Sequence, residues 1–236
     1  MFYVDIFERD NTKASERLEF PFYEETFANA IAKHGWENPD DLNYRIFNDG
    51  RPDMDWKTSW IIDHFYEHSS LMQLNILDLI ADSISNDLFD RAVFYYDEIV
   101  YDANPLSFAN IMYQIQDSYV SVYEYSTTDD NIYERLGKEI AGMNAERGEG
   151  IPEWAQSYID YDEIGSDYDG EFYYDEYFYL RCDDCNIDKD EYSWNEFDDE
   201  WDWDLFAECC AEERAKFGGT YKSTTDKLLE FLEVSA

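Results

Sequence analysis

The feature that most constrains the fold is a segment, from Tyr158 to Asp204, in which acidic side chains alternate with aromatic rings. Its 47 residues contain 19 Asp or Glu and 14 aromatic residues, and its bases are Arg181 and Lys189 alone. Disordered acidic tails are poor in rings, because a chain stays unfolded when it has little apolar surface to bury. The segment therefore predicts a folded region whose rings pack inward and whose carboxylates cover a rigid, negatively charged surface.

The whole chain is also unbalanced in charge, although less so than this segment. Its 56 Asp or Glu residues against 17 Lys or Arg give a formal net charge of −39, which repels itself and destabilises the compact state. Direct binding of nucleic acid requires the opposite sign. The expected partner is therefore basic: a DNA-binding protein, a histone-like surface or cations. B-DNA carries one charge per about 1.7 Å of axis, so the net charge matches about 65 Å of duplex, or about twenty base pairs.

Composition also indicates where the chain acts. With 236 residues, 44% hydrophobic and 19% aromatic, it can bury a real core in two or three small units. The start of the chain lacks a basic run followed by an apolar core, and no segment approaches the length of a membrane span, so we expect a cytoplasmic protein without membrane contact. The four cysteines are expected to be reduced thiols there.

Apolar periodicity predicts the first two structural units. Strands are expected at Phe2–Glu8, Leu18–Phe22 and Asn43–Phe47, with a helix from about Tyr23 to Lys33 that ends before Gly35. From Asp55 the period becomes helical. Ser69 and Ser70 can cap one helix, and Asn104 followed by Pro105 can start another.

Later segments alternate between strand and helix patterns. We expect a strand at Ser118–Tyr125, a helix carrying Ile132, Leu136 and Ile140 after the carboxylates of Asp129 and Asp130, and a short helical turn opened by Pro152. A ring-rich strand is expected at Glu171–Leu180, and helical segments near Glu200–Lys216 and Thr225–Glu233. Together the patterns predict an α+β fold in four parts: 1–54, an α+β domain; 55–117, a helical domain; 118–181, an α+β domain that carries the acidic, aromatic-rich segment; and 182–236, an acidic and mostly helical C-terminal extension.

The familiar signatures of enzymes and metal sites are missing from the sequence, so we expect neither an enzyme nor a bound cofactor. The four thiols, Cys182, Cys185, Cys209 and Cys210, suffice in number for zinc, but adjacent cysteines chelate one ion poorly, and ordinary thiols are the favoured interpretation. An EF-hand beginning at Asp160 would have Ile164 in place of an oxygen ligand. Paired carboxylates are too numerous for proximity to identify a general acid and base.

The remaining candidate site is the acidic surface itself, in which no single carboxylate dominates. We expect a collective surface formed by Asp160, Asp162, Glu163, Asp167, Asp169, Glu171, Asp175 and Glu176. Trp154, Tyr158 and Tyr161 are expected to support the fold or a dimer contact.

Several of these residues belong to motifs that resemble a known family. The segment Ser157–Tyr161 (SYIDY) with Gly165–Tyr168 (GSDY), preceded by Asp129–Tyr133 and Ile151–Trp154, resembles the ArdA family of antirestriction proteins, which typically shows an NYIDYxxYGRDL-like segment. Ser157 stands where Asn is usual, and Ser166 where Arg is usual. The second change makes this surface more acidic still. The resemblance covers about residues 1 to 181.

The resemblance implies an elongated arc of three small domains that dimerises through the third one. Proteins of that family mimic bent B-DNA and occupy the DNA groove of type I restriction–modification enzymes. For this chain it implies a homodimeric inhibitor of host defence, encoded by a phage or mobile element. Residues 182–236 extend beyond the usual family end, so another target, such as a CRISPR effector, stays open. The alternatives from other classes are a histone-like binder of basic proteins and a divalent-metal hydrolase.

Overall fold

The computed structural model describes residues 2–8, 11–36, 42–48, 56–100, 102–116, 122–126, 131–197 and 199–216. Within these ranges helices combine with two small antiparallel sheets, which confirms the predicted α+β class. The strands are β1 (Phe2–Glu8), β2 (Asn11–Phe20), β3 (Leu42–Asn48), β4 (Tyr123–Glu124), β5 (Phe172–Tyr174) and β6 (Phe178–Arg181). The α-helices are α1 (Glu24–His34), α2 (Trp56–Phe65), α3 (Leu71–Ser83), α4 (Asn86–Tyr95), α5 (Pro105–Gln114), α6 (Ile132–Asn144), α7 (Tyr161–Asp167) and α8 (Trp203–Lys216).

The first sheet has the order β2-β1-β3, with β1 antiparallel to both neighbours. Phe2, Val4 and Ile6 are buried on one face of β1, as their alternation predicts. β1 and β3 are confirmed. β2 begins already at Asn11 rather than at Leu18, because the first half of the strand is polar and only its pairing with β1 identifies it.

The helix ends follow the capping residues in the sequence. Gly35 closes α1 with a φ of 68°, a left-handed conformation that glycine adopts without strain. Ser70 caps α3, where its side chain accepts from Gln73 N and its N–H donates to the Gln73 side chain at 2.8 Å. Asn104 Oδ1 accepts from Leu106 N at 3.0 Å at the start of α5. None of the described helices is long and apolar enough to cross a membrane.

The contacts between residues divide the chain into two compact units. Unit 1 comprises residues 1–85, 103–110 and 189–236, and unit 2 comprises 86–102 and 111–188. This division differs from the four segments predicted from the sequence. The two units carry nearly equal charge, since unit 2 contains 25 acidic and 5 basic residues and unit 1 contains 31 and 12.

The C-terminal segment is part of unit 1 rather than an appendage. Trp201 and Phe206 are buried, and the Phe206 ring stacks on Phe27 of α1 with 5.6 Å between ring centroids. Asp202 N donates to the Glu24 carboxylate at 2.8 Å, which ties the start of α8 to that of α1. The sequence predicted an acidic extension, and the structure shows that its rings complete the core of unit 1. The helix predicted at Thr225–Glu233 lies outside the described residues.

Unit 2 contains the second sheet, of order β4-β6-β5. The single strand predicted at Glu171–Leu180 is wrong, because the segment forms a hairpin of β5 and β6. Of the strand predicted at Ser118–Tyr125, Tyr123–Glu124 is observed, and residues 118–121 lie outside the described part of the chain. Asp129 and Asp130 also lie outside it. Asn131 caps α6 by accepting from Tyr133 N at 2.9 Å.

Candidate acidic interface

The acidic segment that opened the sequence analysis is shared between the two units. Residues 158–188 belong to unit 2 and residues 189–204 to unit 1. The eight predicted surface carboxylates and the three predicted supporting rings all belong to unit 2, so this unit carries the candidate site.

A small aromatic core supports the site in unit 2. Leu136 and Ile140 of α6 pack against Phe172 of β5 and Tyr179 of β6, and all four are buried. The hydroxyl of Tyr179 donates to Glu139 Oε2 at 3.3 Å. Burial raises the pKa of Tyr179 above its ordinary value, and the Glu139 charge raises it further, so the phenol keeps its proton at neutral pH. Part of the predicted inward packing is thus observed, whereas other rings of the segment are exposed, namely Tyr158, Tyr168 and Tyr177.

Helix α7 lies against α6 through two glycines that meet backbone. A Cβ on Gly165 would lie 2.0 Å from the carbonyl oxygen of Tyr133, and a Cβ on Gly137 would lie 1.9 Å from that of Tyr161. The approach is therefore closer than any pair of residues with side chains allows. This glycine crossing fixes the distance between α7 and the core of unit 2.

The crossing leaves four carboxylates exposed along α7 and at its N-cap. Asp160 caps the helix by accepting from Glu163 N at 3.2 Å, and Asp162 Oδ1 accepts from Asn131 Nδ2 at 2.6 Å. Asp160, Asp162, Glu163 and Asp167 are all exposed. At 1.5 Å of rise per residue, these four charges span about 10.5 Å, and the three intervals between them average about 3.5 Å of helix axis. That spacing is close to the roughly 3.4 Å between successive charges of one DNA strand.

Three further predicted carboxylates are exposed around the hairpin. Asp169 accepts a hydrogen bond from the hydroxyl of Tyr174, whose pKa is raised by burial and by this carboxylate. Glu171 lies 4.0 Å from Arg181, a distance that leaves most of its charge to solvent. Glu176 is exposed in the turn between β5 and β6. These residues extend the acidic surface from α7 to the hairpin.

Asp175 has a structural contact that the sequence analysis did not anticipate. Its Oδ1 accepts from the backbone N–H of Tyr177 at 2.6 Å and of Phe178 at 2.7 Å, which closes the hairpin turn. The residue is half-buried. Asp175 therefore shapes the hairpin that carries its neighbours.

Most bases of unit 2 form an ion pair or a hydrogen bond within the unit. Arg91 forms an ion pair with Asp87 at 3.0 Å, Lys138 pairs with Glu134 at 2.8 Å, and Arg135 donates to the backbone carbonyl of Glu176. Arg147 and Arg181 line a groove of about 660 Å³ together with Glu139, Glu146 and Asp184. Residues 148–180 contain ten Asp or Glu and no Lys, Arg or His. The acidic surface thus has little cationic charge interspersed along it.

The three predicted supporting rings have different environments. Tyr161 is half-buried, with the Lys138 ammonium 5.7 Å from its ring centroid. Trp154 is 78% exposed and Tyr158 is 83% exposed. Those two rings contribute little to the core of unit 2, and their role in a dimer contact stays a prediction.

The cysteines show no sign of thiolate chemistry. Cys182, Cys185, Cys209 and Cys210 are free thiols. Burial raises the pKa of Cys185 to about 11, with Cys182 and Asp184 adding to the effect, so the thiol stays protonated at neutral pH. Among the described residues, no group of three or more His, Cys, Asp and Glu is placed to hold a metal ion.

The chain was also compared with known proteins. No family model, no curated protein and no solved structure matches it. The function is therefore inferred from the geometry of unit 2 and from the motifs in the sequence.

Proposed function

We propose that the protein is a non-enzymatic DNA mimic that occupies the DNA-binding groove of a host defence enzyme, with a type I restriction–modification complex as the expected target. The observation that carries this proposal is α7, whose four exposed carboxylates have an average spacing close to that of the phosphates along one DNA strand, on a backbone fixed by the glycine crossing. An acidic surface that merely kept the protein soluble would not require its carboxylates to be held in this way.

Inhibition follows from charge complementarity. A groove lined by Arg and Lys attracts fixed carboxylates over several ångströms, which speeds association and makes it sensitive to salt. Fixed carboxylates also lose less conformational entropy on binding than the same number in a flexible tail. The protein would therefore compete with DNA for one surface without binding nucleic acid itself.

The resemblance to the ArdA family supports this choice of target. The SYIDY motif leads into α7 and supplies its capping residue Asp160, and the following GSDY motif supplies Gly165 of the crossing. The motif residues thus have the structural task of presenting the acidic helix. In this proposal the protein acts in the host cytoplasm, needs no cofactor, and acts as a homodimer that doubles the length of duplex imitated.

A band-shift assay tests the proposal with purified type I restriction–modification complex and its DNA. The wild-type protein is expected to displace the DNA, less effectively as salt rises. Salt-independent inhibition, or no displacement, would count against mimicry. The same assay with a CRISPR effector identifies that alternative target, and tight histone binding without nuclease inhibition would favour the basic-protein binder.

A matched pair of variants separates position from net charge. D160N/D162N/E163Q/D167N replaces the four exposed carboxylates of α7 with uncharged side chains of the same shape. Asn at position 160 still caps the helix. The control neutralises the same number of exposed carboxylates in unit 1, with the substitutions E19Q/E25Q/D63N/E67Q. The proposal expects a far larger loss of inhibition for the α7 variant than for the control. Equal losses would mean that net charge alone matters.

A further inference from the structure

Trp154 and Tyr158 are the two most exposed large hydrophobic side chains in the described part of the chain. Both lie on the short 3₁₀ helix Glu153–Tyr158. Rings of this size are normally largely buried, since their burial contributes much of the stability of a core. The exposure of two of them within one short 3₁₀ helix is not explained by the fold of unit 2.

The backbone that carries these rings is ordered by local hydrogen bonds. Ala155 N donates to the carbonyl of Pro152 at 2.8 Å, and Ile159 N donates to that of Gln156 at 3.3 Å. The chain then passes directly into Asp160, the capping residue of α7. The two rings therefore lie next to the acidic helix in sequence, on a segment shaped before any partner binds.

The charge of this region selects the kind of partner. Since residues 148–180 contain ten acidic residues and no base, a second copy of the same surface would bring like charges together. A purely apolar partner would desolvate the neighbouring carboxylates without compensating them. A cation that also binds to ring faces gains from both features. Arginine is the cationic side chain best suited to this, because its planar guanidinium stacks on aromatic rings and pairs with carboxylates through two hydrogen bonds.

We propose that Trp154 and Tyr158 form a docking site for arginine side chains of a basic DNA-binding protein. The inference rests on the proposed function and deepens it, because it names the side chain that the mimic recognises. Charge–charge attraction weakens as salt rises, whereas contact between a guanidinium and a ring depends less on screening. The two rings would thus supply the part of the affinity that persists at high salt.

Short fluorescent oligo-arginine and oligo-lysine peptides of equal length test the docking site by fluorescence anisotropy with the full chain. The wild-type protein is expected to bind oligo-arginine about fivefold more tightly than oligo-lysine, from cation–π contacts at exposed rings. W154A/Y158A should abolish this preference and leave the affinity for oligo-lysine unchanged. The control Tyr23→Ala, which removes an exposed ring of unit 1, should keep the preference.

Three results would overturn the docking site: a wild-type protein without arginine preference, a W154A/Y158A variant that keeps it, and a variant that loses affinity for both peptides equally. Analytical ultracentrifugation adds a fourth, since conversion of a wild-type dimer to a monomer by W154A/Y158A would assign the rings to self-association. Circular dichroism is expected to show an unchanged fold for the variant, because both side chains are exposed.

The displacement assay with the restriction complex is run in parallel. A failure to displace DNA overturns the proposed function, whereas loss of the peptide preference alone overturns only the docking site.

Discussion

The glycine crossing of unit 2 gives the sharpest prediction, because a single methyl group tests it. In Gly165→Ala the new Cβ would lie 2.0 Å from the carbonyl oxygen, 2.7 Å from the carbonyl carbon and 2.9 Å from the Cα of Tyr133. All three atoms are backbone of α6, so rotation of a side chain cannot relieve the overlap. Helix α7 would have to move away from α6 by about 1 Å or more, in a region packed at the density of a crystal.

Two opposing effects set the size of the change. Alanine favours a helix over glycine by about 1 kcal/mol, whereas overpacking costs about 1–3 kcal/mol and more when the backbone must shift. We therefore expect Gly165→Ala to lower the free energy of unfolding by about 2 kcal/mol, which is the upper end of the overpacking cost less the gain in helix propensity. For a unit of this size that corresponds to a fall in Tm of about 8–16 °C. Displacement of α7 should also weaken inhibition of DNA binding.

Thermal unfolding followed by circular dichroism, together with the DNA-displacement assay, checks this prediction. The matched control is Gly142→Ala in α6, where an added Cβ meets nothing within 4 Å. There the helix propensity acts alone, and we expect a gain of about 0.5–1 kcal/mol. If Gly165→Ala were as stable and as inhibitory as Gly142→Ala, the crossing would not hold the acidic helix in place.

Three further predictions concern the stability of unit 1. Asn75→Ala should destabilise unit 1 by about 2–4 kcal/mol in chemical denaturation. The buried Asn75 side chain accepts from Phe22 N at 2.8 Å and donates to the Phe22 carbonyl at 2.9 Å, and both hydrogen bonds would be lost. A loss below about 1 kcal/mol would contradict this. Glu200→Gln should raise the Tm at pH 7, since burial, with Asp199 adding, raises the pKa of this carboxyl and its charged form destabilises the fold. That advantage should vanish as the pH falls through the raised folded pKa towards the ordinary value of 4.5, and a gap that widens in acid would refute the assignment. Phe206→Ala should lower the free energy of unfolding by about 3–5 kcal/mol, and with it the Tm, because it removes the stack on Phe27. An unchanged Tm would show that α8 is not part of the core.

Local sequence signals predicted the elements whose ends and faces are set by their own residues. The alternation in β1, the left-handed Gly35, the capping box at Ser70 and the Asn104 cap all depend on neighbours within a few positions. Such signals specify an element before any tertiary contact forms. They also predicted most of the exposed carboxylates of unit 2, whereas only some of its rings are buried.

Elements that depend on distant contacts were missed. Helix α7 (YDEIGSD) has no apolar period and contains a glycine, and its position follows from the crossing with α6. The sequence pattern of the β5–β6 hairpin predicted one strand, because rings continue through the turn. Asp is a common turn residue, so Asp175 could have indicated the turn. The place of the C-terminal segment depends on contacts far away in sequence, since Trp201 reaches Phe22 and Phe206 reaches Phe27 of α1.

The candidate site was predictable in composition and only partly in arrangement. Seven of the eight predicted carboxylates are exposed in unit 2, whereas Asp175 closes the hairpin turn. The sequence could not show that the acidic segment divides between two units after Asp188, because charge alternation continues through that point unchanged. For Trp154 and Tyr158 the sequence allowed either a place in the fold or a dimer contact, and the structure shows that both rings are exposed.

The salt dependence of binding to a type I restriction–modification complex tests the central claim most directly. Affinities of the wild-type protein, the D160N/D162N/E163Q/D167N variant and the unit 1 control are measured by competition with DNA over a range of salt concentrations. Carboxylates that imitate phosphates predict a steep fall in log affinity with log salt for the wild type and the control, and a distinctly shallower one for the α7 variant. Equal slopes for all three proteins, or affinity that does not change with salt, would contradict it.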